Sequence, residues 1–165
     1  MNATIQKFGY PDTLVADYAH WMVLVRPAQA TLGALVLVNK SDATAFSALD
    51  LQAFIELHGV IGEIERGLTA FRRYDKINYL MLMMVDREVH FHVLPRYAGE
   101  QRFDGRGFDD PGWPGAPNLK ANATLSGDAL ARLVAAIRQD WPNASNARPA
   151  SRPMTRSTSS PDPEA

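Results

Sequence analysis

The run Glu88-Val89-His90-Phe91-His92-Val93-Leu94-Pro95-Arg96 constrains this chain more than any other. Val89, Phe91 and Val93 fill alternate positions, the pattern of a strand with one face in a core. Period-two alternation then sets Glu88, His90 and His92 together on the other face. Two of the chain's four histidines are thereby placed side by side. Pro95-Arg96 closes the strand, because proline cannot donate to the ladder, and leaves a guanidinium at its edge. Two imidazoles aimed at one spot suit nucleophilic or acid–base chemistry. With Glu88 as a third ligand the same face suits a metal, and a purely structural pair is the remaining reading.

The neighbouring segments give the fold class. Lys76 to Val85 reads as the partner strand, with Asp86-Arg87 as the tip of a tight hairpin and Met81-Leu82-Met83-Met84 as part of a strand buried on both faces. Upstream, Val15 to Val25 is rich in strand formers and stops at Arg26-Pro27. Gln29 to Gly33 is a turn, and Ala34 to Val38 is a buried strand. Asp50 caps a helix running to about Arg72, with Phe54, Leu57, Ile61, Ile64, Leu68 and Phe71 as its apolar stripe. Ser126 caps a last helix with Leu130, Leu133, Val134, Ile137 and Trp141 facing inward. A hairpin makes an antiparallel pair, so the class is α+β: an antiparallel sheet with helices packed on one side. Residues 1–12 form a lead-in closed by Tyr10-Pro11, 13–142 the domain, and 143–165 a polar tail expected to be disordered.

Composition narrows the function. The chain has 165 residues, one domain's worth, and a formal net charge of -1 with no long charge block. No broad nucleic-acid or membrane surface is expected, while a local pocket for a small anion remains open. The chain has no cysteine, which removes disulfides and thiolate metal sites. No apolar run approaches the ~20 residues of a membrane span, and no signal peptide is evident. A cytoplasmic protein is expected.

His90-Phe-His92-Val-Leu-Pro-Arg96 resembles the signature of the histidine-triad family of nucleotide hydrolases and transferases, His-x-His-x-His followed by two apolar residues and often Pro-Arg. The order of elements from Leu14 to Tyr97 also resembles the family's. The resemblance implies a histidine-triad α+β fold, a nucleotide or nucleoside-phosphate ligand, no cofactor and a homodimer. Anchored on Pro95-Arg96, His90 matches the middle histidine, the family's nucleophile, and His92 matches the third. A second register makes His92 the nucleophile and puts Leu94 in the third place. Three positions depart from the pattern. Glu88 stands where the first histidine belongs, the hairpin tip is shortened to Asp86-Arg87, and Ala34 follows Gly33 where many members have histidine.

The resemblance implies attack by His90 on the α-phosphorus, with His92 donating to a phosphoryl oxygen, while the Pro-Arg step leaves Arg96 either to help there or to serve the structure. Asn78, on the strand antiparallel to His90, is placed to donate to phosphate or ribose, or is an ordinary strand residue. Glu88 is the difficulty. A carboxylate ~4 Å from a phosphate oxygen costs on the order of 4 kcal/mol at an effective dielectric of 20. Glu88 is therefore protonated, paired, turned away, or a general acid for the leaving group. Two functions stay open on the sequence: a nucleotide hydrolase or transferase, and a binding protein of the same fold that has lost turnover.

Overall fold

In chain order the elements are α1 (Ala3–Lys7), β1 (Leu14–Asp17), β2 (Trp21–Val25), β3 (Ala28–Gln29), β4 (Leu35–Asn39), α2 (Leu51–Phe71), β5 (Lys76–Leu80), β6 (His90–Arg96), β7 (Gln101–Phe103), β8 (Arg106–Phe108), β9 (Ala123–Thr124) and α3 (Gly127–Gln139). This is a computed structural model, and it describes residues 1–142. The expected tail at 143–165 lies outside the described residues. The main sheet has the order β1-β2-β4-β6-β5, and every pairing in it is antiparallel. The α+β reading therefore holds. No described helix is long and apolar enough to cross a membrane.

One face of the sheet presents Trp21, Val23, Val25, Leu35, Leu37 and Val93 to α2 and α3. Each such side chain, taken fully out of water, contributes roughly 1.5–3 kcal/mol. Asp50 caps α2 as expected, its carboxylate accepting from Gln52 N at 2.8 Å. The buried stripe of α2 is Ala53, Val60, Ile64, Gly67 and Leu68. It is rotated from the expected one, so Phe54, Leu57 and Phe71 sit at its partly buried flanks. Small residues win the centre because neighbours come close there. A Cβ on Gly67 would stand 2.5 Å from the Trp141 ring. The indole Nε1 of Trp21 donates to the Ala53 carbonyl at 2.7 Å and ties sheet to helix.

Two expectations need correction. Val15 to Val25 folds as two strands, turned at Tyr18–His20, because the Glu56 carboxylate on α2 accepts from Ala19 N and His20 N at 3.0 and 2.6 Å. The hairpin is not tight. Its ladder ends with Leu80 opposite His92, and residues 81–89 leave the sheet. Met83 adopts a left-handed φ of 48°, which an extended strand cannot contain. Met84 and Val85 are 85% and 81% exposed, so the apolar run is a projecting loop and not a doubly buried strand.

The opposite face of the sheet is covered in part by the chain's first ten residues. Asn2 caps α1 through Oδ1, and its Nδ2 donates to the carbonyls of Asn39 and Ser41, both at 2.8 Å. Ile5, Phe8 and Tyr10 then pack on Leu14, Met22, Leu24, Val36 and Val38. Further along the same face Leu94 packs with Ala30 and Ala34, against Leu80 and Leu119. Between these two covers lie His90 and His92.

Candidate active site

The register fixes what shares the histidine face. His90 stands opposite Val38, and Val38 opposite Met22. The next row holds Leu24, Val36, His92 and Leu80. Arg26 follows on β2's line two residues after Leu24, where its N–H donates to the Ala34 carbonyl at 3.0 Å. Alternation puts it on the same face. These side chains open into a cleft of about 340 Å³, lined by His90 and His92, by Lys7, Phe8 and Arg26, by Leu82 to Asp86 of the projecting loop, and by Leu119.

The two imidazoles meet edge to face, with centroids 5.1 Å apart and planes at 86°. Both are deeply set, His90 at 1% and His92 at 7% exposure. The phenyl ring of Phe8 stands 6.1 Å from His90 and 5.8 Å from His92. His90 Nδ1 lies 2.7 Å from the Glu88 carbonyl oxygen. A carbonyl only accepts, so Nδ1 carries the proton and a neutral His90 ring keeps its lone pair on Nε2. Burial lowers the pKa of His92 to about 4, with the charges of His90 and Arg26 acting in the same direction. His92 is thus neutral at pH 7, and its buried Nδ1 has no hydrogen-bond partner among the described residues.

Glu88 is separated from the cleft. It precedes β6, and its carboxylate accepts from the Thr4 hydroxyl at 2.6 Å. It lines a smaller cavity of about 220 Å³ with Ala3, Thr4, Lys7, Val85, Asp86 and Arg87. The Thr4 hydroxyl, then backbone N–H groups that include those of Thr4 and Ala3, hold its pKa below the ordinary 4.5. The carboxylate faces the first turn of α1, where the helix end favours an anion. Of the expected alternatives, turned away describes it. No group of three or more His, Asp or Glu side chains among the described residues is arranged to hold a metal.

Asn78 and Arg96 stand apart from the histidine cleft. They line a separate cavity of about 260 Å³ with Lys76, Trp113, Pro114 and Gly115. The Arg96 guanidinium is already occupied: Nε and Nη2 bind Asp110 at 2.6 and 2.9 Å, and Nη1 donates to Asn78 Oδ1 at 2.7 Å and the Gly115 carbonyl at 3.1 Å. Both partners of the ion pair are buried. This bidentate pair pins the Gly- and Pro-rich loop to the sheet. Residues that the sequence reading missed are Lys7, Phe8 and Arg26. Only Arg26 left a trace, as the charged residue before a proline at a strand end.

No protein-family model matches the chain, and no curated protein matches its sequence. Solved structures do match. A histidine triad protein from Bradyrhizobium japonicum superposes with a TM-score of 0.61 at 19% identity, over 86% of this chain and 96% of that one. A histidine triad (HIT) protein from Sinorhizobium meliloti gives 0.65 at 18%, over 84% and 94%. The chain has the histidine-triad fold. A hypothetical histidine triad nucleotide-binding protein from Sulfolobus tokodaii gives 0.60 at 15%, over 82% and 87%. The histidine-triad fold thus extends past Tyr97 to take in the loop and α3, which the motif alone did not reach. Within it, His90 and His92 occupy one strand that lines the cleft, and Glu88 offers its main-chain carbonyl to His90 in place of its side chain.

Proposed function

We propose that this is a histidine-triad nucleotide hydrolase or nucleotidyl transferase with His90 as nucleophile. Nε2 of neutral His90 attacks the α-phosphorus of a nucleoside phosphate. An N–P bond forms as the P–O bond to the leaving group breaks, and the leaving group takes the electron pair. Water or another acceptor then attacks phosphorus, the N–P bond breaks, and the acceptor's proton passes to solvent. His92 donates its one N–H to a phosphoryl oxygen. The observation that carries the reading is the bond from His90 Nδ1 to the Glu88 carbonyl at 2.7 Å. It fixes the tautomer that a nucleophilic imidazole needs, and it does so through the main chain, whatever side chain stands at 88. The nucleotide-binding description of the Sulfolobus tokodaii relative agrees with this ligand class. A homodimer belongs to the same reading, with β1 and β5 as the strands at the sheet's two edges; sedimentation tests it.

A second reading, a binding protein without turnover, has an observation of its own. His90 is 1% exposed and flanked by Phe8, so it presents little of its ring to a phosphate in the cleft. One experiment separates the two. The protein is incubated with nucleoside phosphates labelled in the α-phosphate and quenched in alkali. An enzyme gives a protein-bound label stable to base and labile to acid, lost in His90→Ala and kept in His92→Ala. A label lost only in His92→Ala moves the nucleophile to His92. Nucleotide binding with no label in any variant supports the second reading.

A further inference from the structure

Arg26 is the one cation in the cleft without a carboxylate partner among the described residues. Lys7, the other, is paired with Asp86. Arg26 donates through Nη1 to the Ala28 carbonyl, a bond that holds the side chain down along its own strand end. Its Nε is buried and has no acceptor. The contrast with Arg96 is direct, because there Asp110 fills the same Nε and Nη2 fork with two oxygens. A half-buried guanidinium whose buried Nε lacks an acceptor is costly, and burial lowers its pKa. A phosphate presents the paired oxygens that such a fork fits.

The position says which phosphate. Seen from His90 along the sheet, His92 comes first and Arg26 lies beyond it, at the Ala34 end of β4. The charge of Arg26 reaches His92, where it helps to lower that pKa. The register sets Arg26 two strands across from His90 and four residues further along, roughly 15 Å at the backbone, so an anion at Arg26 is a different group from the phosphoryl held at Nε2 of His90. We propose that Arg26 receives a second phosphate of the nucleotide, so that the ligands of this cleft carry at least two phosphates. The inference rests on the proposed nucleotide function. The second phosphate is either the next one in the 5′ chain or one on the sugar, and the chemistry at the guanidinium is the same for both.

Calorimetric titration tests this with adenosine and guanosine 5′-monophosphates, their α,β-methylene diphosphates and their 3′,5′-bisphosphates, none of which offers a cleavable P–O–P bond. The second phosphate should tighten binding roughly tenfold or more, about 1.4 kcal/mol. The diphosphate arm and the bisphosphate arm identify its source. In Arg26→Gln that ratio should fall below about threefold, and in Arg26→Lys, which keeps the charge and loses the fork, it should be intermediate. Circular dichroism melts establish that both variants are folded, and Arg26→Lys carries the test if Arg26→Gln is not. Monophosphates that bind as well as the two-phosphate ligands overturn the inference alone, as does a preference that survives Arg26→Gln. If no nucleotide binds, the proposed function fails and this inference fails with it.

Discussion

Replacing Glu88 by glutamine takes a single charge off the first turn of α1 and leaves the side chain's shape in place. The carboxylate accepts from the Thr4 hydroxyl at 2.6 Å, with backbone N–H groups of Ala3 and Thr4 nearby. A hydrogen bond to a charged group is about twice as strong as a neutral one, so the exchange costs about 0.5–1 kcal/mol. Losing an anion at a helix N-terminus adds about 0.3–0.5 kcal/mol. The partly exposed position holds the total near 1 kcal/mol after solvent screening. For a domain of this size that lowers the melting temperature by about 3–4 °C. The sign of the pH dependence follows from the depressed pKa. The contribution is present above the ordinary 4.5 and is lost as pH falls through the lower folded value. Thermal melts should therefore separate Glu88→Gln from wild type at pH 7 and bring them together only once pH has fallen below the depressed folded pKa of Glu88. Nucleotide affinity should change by less than about twofold, because the carboxylate does not line the histidine cleft. Equal melting temperatures at pH 7 would refute the helix-end account. A tenfold gain in nucleotide affinity would show that the carboxylate faces the phosphate after all.

Two further outcomes follow from buried charge. With the His92 pKa at about 4 against an ordinary 6.5, the unfolded chain binds a proton that the folded one does not. Stability should fall by about 2–3 kcal/mol as pH drops from roughly 6.5 to 4; urea melts of His92→Gln should lack that component, and an unchanged slope would refute the shift. Asp110→Asn strips the carboxylate from the buried Arg96 fork and should cost about 3–5 kcal/mol in chemical denaturation, whereas the double variant Arg96→Met/Asp110→Leu should cost less because no unpaired charge remains. Equal losses in the two would show that packing, and not charge, holds the loop.

The strand of the two histidines was legible because alternation needs only local sequence, and the same holds for the Asp50 cap on α2. The Met81 to Met84 run misled because apolar composition does not distinguish a doubly buried strand from a loop whose apolar side chains line a cleft. What decides is where the ladder stops, and Leu80 opposite His92 is a tertiary outcome. The wall made by Lys7 and Phe8 was hidden for a related reason: α1 has five residues, too few for a helical period to show. The sequence leaves Arg96 open between a phosphate contact and a structural role because nothing in a Gly- and Pro-rich loop announces that Asp110 will reach back to it. The sequence draws attention to the side chain of Glu88, whereas its contribution to His90 runs through a carbonyl that every residue possesses.

The contact between Thr4 and Glu88 joins positions 84 residues apart in the chain. During synthesis at 5–20 residues per second, α1 waits roughly 4–17 s for its partner to be made. Until then Ile5 and Phe8 have only a growing sheet to cover, and β6 with its histidines does not yet exist. Closing so long a loop comes late, after the local α2 turns and the β1–β2 pair have formed. A nascent chain that ends before His90 thus has α1 in hand without the histidine wall of the cleft that α1 helps to close.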